Sequence, residues 1–299
     1  MKAIWQLLGA AIASWSEDKA PRLGAALAYY TVFSLAPLLV IAVGIAGVFF
    51  GEEAAREQIV DQIRGLVGDQ GAQAVETMVE NAGRQKTAGV VATVIGLAML
   101  LFGASGVFGE LQDSLNTIWG VKPRPGRGLL GVIKDRFASF TMVIGIAFLL
   151  LVSLILSAAL AALGTRLGGG TAEGAMHIVN AVVSFGVVTV LFAAMYKYVP
   201  DVQIQWRDVW IGAAVTSLLF TLGKFAIGLY LGKSSVASAY GAAGSLVILL
   251  IWVYYSAQIL FFGAEFTKVY AKSYGSGLRP APDAIPAMPE ARAEQGLGP

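Results

Sequence analysis

The sequence predicts an all-α integral membrane bundle. Three observations carry this. Only 13% of the 299 residues are charged and 57% are hydrophobic, where soluble domains carry roughly a quarter charged residues. Mean hydropathy is +0.70. The apolar residues also gather in six long blocks, at about 25–50, 88–108, 137–163, 178–199, 209–231 and 243–267. Each block is long enough to cross about 30 Å of hydrocarbon at 1.5 Å per residue. Lipid offers no water to open backbone groups, so each is expected to be helical.

Ahead of the first block, Ile4, Trp5, Leu8, Ala11, Ile12 and Trp15 share one helical face. The pattern reads as an amphipathic helix lying at the membrane interface, anchored by its two tryptophans. Ala11-Ile12-Ala13 imitates a signal-peptidase site, but Trp5 and Gln6 interrupt the apolar stretch. Within the first span, Tyr29, Tyr30, Thr31 and Ser34 form a polar stripe and Pro37 follows, where a kink is expected.

Residues 51–87 are the sizeable polar stretch between spans, with seven acidic residues. Ile59, Ile63, Leu66 and Val67 make one apolar stripe and Val75, Met78, Val79 and Ala82 another, separated by Gly68-Asp69-Gln70-Gly71. Two short amphipathic helices packed on the extracytoplasmic face are expected. The basic stretch 121–128 reads as a cytoplasmic loop beside anionic lipid. The membrane domain is placed at 1–272, and 273–299, rich in Pro, Gly and Ala, is expected to be a disordered cytoplasmic tail.

Lys and Arg set the orientation. With six spans, fourteen fall on the side that holds both termini and six on the other, and Lys224 lies within a span. The positive-inside rule then puts both termini in the cytoplasm.

Composition also bounds the chemistry. Cys is absent and His177 is the sole His, so zinc clusters and thiolate nucleophiles are unavailable. Neither a metal nor a cofactor is expected, and no nucleophile–base pair at workable spacing supports an enzyme. A net charge of +2 gives no field for nucleic acid.

Ionisable groups in or beside spans are the candidate sites, because lipid makes them costly. Lys224 lies about two-thirds along the fifth span, either snorkelling or facing the bundle interior toward an anionic group. Tyr29, Tyr30 and Gln258 join it as candidate intramembrane polar residues. Arg22, Glu110, Asp113, Lys197, Asp201 and Glu265 fall at one cytoplasmic depth as a polar cluster, in which Glu110 or Asp113 is expected to pair with Arg22 or Lys197.

Four separated stretches resemble a known family: Ala25–Leu39, Gly103–Trp119, Tyr196–Val202 with Trp206-Arg207-Asp208, and Ser238–Ser245 running on to Gly263-Ala264-Glu265-Phe266. Together they resemble the YihY/BrkB family of bacterial inner-membrane proteins over about 15–272. The resemblance implies a six-span inner-membrane protein connected with envelope integrity, and supplies neither substrate nor catalytic residues. The family has also carried a ribonuclease BN label, which one His and no Cys argue against. The expected function is a transporter or lipid-handling protein for an anionic amphiphile, with membrane lipids as partners. The alternative is an envelope scaffold that docks a protein partner through 51–87.

Overall fold

A computed structural model describes residues 2–83, 106–125, 170–233, 243–288 and 297. The expected spans at 88–108 and 137–163 lie wholly or almost wholly outside these residues. The described elements are α1 (Lys2–Glu17), α2 (Ala20–Phe50), α3 (Glu52–Gly83), α4 (106–119), β1 (Val121–Pro123), α5 (Gly170–Tyr198), β2 (Val202–Gln203), α6 (Trp206–Lys233), α7 (Gly244–Ser273), β3 (Arg279–Pro280) and β4 (Ala284–Pro286).

Three described helices are long and apolar enough to cross a membrane: Ile178–Tyr198 of α5, Trp206–Ile227 of α6, and α7. Two arms of α2, Ala20–Leu35 and Leu38–Val48, make a fourth if taken as one broken span, bent by 48°. The bend falls at Pro37, where the helix loses an N–H donor. Leu218, Leu222, Phe225 and Leu229 of α6 and Ile178, Val182 and Phe185 of α5 are exposed. Apolar faces this continuous are stable against lipid rather than water.

The chain divides into two compact units. The first comprises Met1–Asp18, Leu115–Thr221 and Phe262–Pro299; the second comprises Lys19–Ser114 and Leu222–Phe261.

In the first unit, α6 and α7 cross antiparallel on small residues. A side chain at Gly212 would collide with Thr267, and one at Gly263 would collide with Thr216 and Tyr196. Each threonine returns its hydroxyl to its own helix, Thr216 Oγ1 to Gly212 O at 2.8 Å and Thr267 Oγ1 to Gly263 O at 2.6 Å. Tyr196 on α5 joins at 3.0 Å from Thr216 Oγ1. Small residues let helices approach where lipid supplies no hydrophobic drive.

In the second unit, Val32 and Leu39 of α2, Val75 of α3 and Leu249 of α7 form a buried cluster, with Ile59, Ile63 and Trp252 packed against it. Gly51, at φ +87°, turns the chain from α2 into α3. Residues 52–83 are helical throughout, yet Arg56 Nη1 lies 3.8 Å from Glu80 Oε1. A straight helix would separate these residues by about 36 Å. The segment therefore folds back on itself between them, and Gly68 and Gly71 sit midway. Two antiparallel helical arms are the arrangement that satisfies both facts.

The tail corrects an expectation. Residues 274–288 are ordered, not disordered. β3 pairs antiparallel with β2, with Gln203 opposite Arg279, and β4 pairs antiparallel with β1, with Lys122 opposite Ile285. Ala287 N donates to Gly120 O and Ala281 N to Asp201 O, each at 2.9 Å. Composition argued for disorder, but two loop edges offer backbone partners that composition does not reveal.

Candidate functional site

Among its described residues the first unit holds a buried ionisable cluster and an open cavity. The cluster forms where α1 ends and α7 nears its end. Asp18, the residue after α1, is 1% exposed, Glu265 0% and Lys268 7%. Lys268 and Glu265 are three apart and share a helix face. Lys268 Nζ donates to Asp18 Oδ2 at 2.7 Å and to Ile118 O at 2.8 Å, and lies 2.7 Å from Glu265 Oε2. One ammonium thus serves two buried carboxylates. The Glu265 contact is an ion pair at hydrogen-bonding distance. Burying ions is expensive unless they are paired. This arrangement ties α1, the end of α4 and α7 together.

The cavity opens where α5 ends and α6 begins. Its volume is about 650 Å³, and Lys197, Gln203, Ile204, Gln205, Trp206, Arg207, Ser276, Gly277 and Arg279 line it. Three cations and no carboxylate are among these residues. Lys197, in the last turn of α5, donates to Ile204 O, and its ammonium stands 5.9 Å from the Trp206 ring centre. Trp206 stacks with Trp210 at 6.0 Å and meets Tyr198 edge-on at 5.8 Å. Asp208 Oδ2 accepts from Ser276 N and Oγ at 2.9 and 2.8 Å. That grip, with Gly277 at φ +74°, turns the chain after α7 into β3 and brings Arg279 to the rim.

The six residues expected in one polar cluster are divided. Lys197, Asp201 and Glu265 belong to the first unit, and Arg22, Glu110 and Asp113 to the second. The first unit brings Glu265 to Lys268, not to another member of the expected set. Asp201 instead meets Asn116, whose Nδ2 donates to Asp201 Oδ2 at 3.0 Å while Asp201 N donates to Asn116 Oδ1 at 2.7 Å. Lys197 meets a carbonyl and an indole. In the second unit, Ser114 Oγ donates to Glu110 Oε1 at 3.4 Å. Burial raises the Glu110 pKa, the Asp113 charge adds to the rise, and the Ser114 hydrogen bond opposes it. Arg22 and Asp113 are exposed, and each interacts with a neighbour.

The expected intramembrane residues also separate. Lys224 is exposed beside Leu222 and Phe225, the arrangement of the snorkelling alternative. A lysine on an apolar exposed face keeps its charge by extending its stem. Tyr29 and Tyr30 are exposed, and Tyr29 packs on Phe33 with ring centres 4.7 Å apart. Gln258 sits against Gly24, where any side chain would overlap its amide. Both polar atoms of that amide are buried with no partner among the described residues.

Sequence reasoning missed Asp18, Lys268, Arg207 and Arg279 as site residues. Lys268 carried a signal, since a basic residue one turn from Glu265 at a span end is a pairing pattern. Both arginines count among the orientation charges, and Arg207 also falls in a stretch that carries the resemblance.

The pattern of the family described as Virulence factor BrkB matches residues 11–286. The UPF0761 membrane protein of Stenotrophomonas maltophilia strain K279a is 29% identical over 265 residues, covering 85% of this chain and 58% of that protein. That of Albidiferax ferrireducens is 30% identical over 273 residues, covering 89% and 62%. That of Alkalilimnicola ehrlichii is 32% identical over 251 residues, covering 83% and 54%. The chain thus spans less than two-thirds of the length of these relatives. No solved structure matches. With a match across nearly all of its length and several apolar helices fit to cross a bilayer, the chain is a membrane protein of the BrkB family, to which the UPF0761 proteins are related.

Proposed function

We propose that this protein is a non-enzymatic inner-membrane protein that handles an anionic amphiphile, serving envelope integrity by moving or presenting a lipid. One observation supports this above the others. Tyr198, Trp206 and Trp210 form an aromatic collar at the junction of two candidate spans, and the cations Lys197 and Arg207 stand among them. Such belts sit at headgroup level, and basic groups there attract anionic lipid. In this reading the collar faces the cytoplasm, both termini lie on that side, α1 rests in the interface with Ile4 and Trp5 toward lipid, and Gly51 turns the chain outside.

Reconstitution into liposomes with fluorescent phosphatidylglycerol, followed by quenching of the outer leaflet, tests the activity. Protein-dependent loss of leaflet asymmetry is expected. Unchanged asymmetry with correctly inserted protein overturns lipid movement. Single Cys probes at Glu53 and Ser273 in this Cys-free chain test orientation, and labelling of Glu53→Cys from the cytoplasm alone reverses it.

An alternative, docking of an envelope protein, draws on α3. Its exposed Glu52, Glu53, Glu57 and Asp61 give one arm an acidic surface. Crosslinking from that arm to a basic envelope protein, with no lipid movement in liposomes, would favour it.

A further inference from the structure

We infer that the cavity between the end of α5, the start of α6 and the returning tail is a binding site for the phosphate of an anionic phospholipid headgroup. This rests on the lipid-handling reading above and gives it a place and a ligand class.

The charge arrangement comes first. Arg207 and Arg279 both line the cavity, and neither guanidinium has a hydrogen-bond or ion-pair partner among the described residues. Four other described cations are held: Lys268 by Asp18, Arg64 by Asp61, Arg56 by Glu80 and Lys197 by Ile204 O. The nearby carboxylate, Asp208, is buried and engaged by Ser276. Among the described residues, the cavity wall therefore presents positive charge with no carboxylate in its lining. A guanidinium fork matches two phosphate oxygens.

The fold delivers each group separately. Arg207 stands in the first turn of α6, whose positive dipole end also favours an anion. Arg279 arrives on β3, fixed beside Gln203 by strand register. Gln203 and Gln205 add neutral amides for ester or glycerol oxygens. Trp206 forms a wall that continues into Trp210 and Tyr198, an aromatic surface suited to the glycerol and upper acyl region. A volume of about 650 Å³ lies within the usual range for small-ligand sites, enough for a headgroup. A diacyl lipid suits the cavity better than a soluble phosphate ester, because the collar beside it is exposed and apolar.

The test uses the full chain purified in detergent, exposed to phosphatidylglycerol or phosphatidylcholine, with retained lipid counted by native mass spectrometry. Glycerol phosphate is offered in a parallel arm. Preferential retention of phosphatidylglycerol is expected. Arg207→Gln and Arg279→Gln should each weaken it by about tenfold to a hundredfold, as expected for loss of one charged hydrogen-bonding partner. Arg279→Lys should recover part of the loss. Arg64→Gln, on α3, should change nothing, and thermal melting of each variant reports folding. Equal retention of both lipids, or unchanged affinity in the folded double variant, overturns the site. Glycerol phosphate binding as tightly as the lipid overturns the lipid assignment. Lipid movement that persists in the double variant would remove this site and leave the function standing. Binding without movement would do the reverse.

Discussion

Lys268 Nζ lies 2.7 Å from Asp18 Oδ2 across 250 residues of sequence, and both side chains are nearly inaccessible. Glu265 shares the same ammonium. Lys268→Met would leave two carboxylates buried together without their cation, and removing one partner of a buried pair costs about 3–5 kcal/mol. Glu265→Gln leaves the Asp18–Lys268 pair intact and should cost much less. Unfolding of the purified protein in mixed micelles, followed by loss of helicity, orders the two. A Lys268→Met variant as stable as Glu265→Gln would mean that the cluster does not hold α1 to α7.

The crossing of α6 and α7 predicts a second outcome. At Gly263 a methyl group would overlap Thr216 and the Tyr196 hydroxyl, and at Gly212 it would overlap Thr267. Overpacking of this kind costs about 1–3 kcal/mol. Gly263→Ala should lower the melting temperature, and adding Thr216→Ala should restore part of it, since the two residues share one contact. Strict additivity would show that the helices do not meet there.

For Glu110 the pH dependence has a definite sign. Burial and the neighbouring Asp113 charge raise its pKa in the folded state. A raised carboxyl favours the folded state most when protonated. That contribution is complete below the unfolded pKa, about 4.3, and is lost as pH rises through the folded one. Melting curves of wild type and Glu110→Gln between about pH 4 and pH 8 should therefore diverge upward, with the glutamine variant relatively more stable at neutral pH. A gap that narrows as pH rises would contradict the sign.

Span positions were legible because lipid imposes a simple rule on composition. The blocks at 25–50, 178–199, 209–231 and 243–267 fall on α2, α5, α6 and α7 to within a few residues at most ends. The kink at Pro37 and the reversal near Gly68 and Gly71 were legible for local reasons, a missing donor and poor helix formers. The site was far less legible. Depth along a span placed Glu265 and Lys197 correctly at a helix end, but depth does not say which way a side chain points. Glu265 turns to Lys268 and Lys197 to Trp206, choices set by helix rotation. Asp18 and Arg279 needed tertiary information of another kind. The first depends on where α1 meets α7, and the second on a strand register between β2 and β3 that Pro-rich composition conceals.

Lys224 tests how far an intramembrane charge alone indicates function. It is exposed on a helix whose neighbouring positions Leu222, Phe225 and Leu229 are exposed as well. A lysine there costs about 2.5–3.5 kcal/mol at mid-bilayer on insertion scales, reduced when the stem reaches the interface. Replacing it by leucine removes that cost without stranding a partner among the described residues. Lys224→Leu should therefore melt within about 0.5 kcal/mol of wild type, insert at least as well, and keep lipid movement in liposomes. Arg279→Gln, by contrast, should lose it. Paired flux measurements on these two variants, each checked for helicity, decide the matter. If Lys224→Leu folds normally and loses movement while Arg279→Gln keeps it, the functional charge lies within the span and not at its rim.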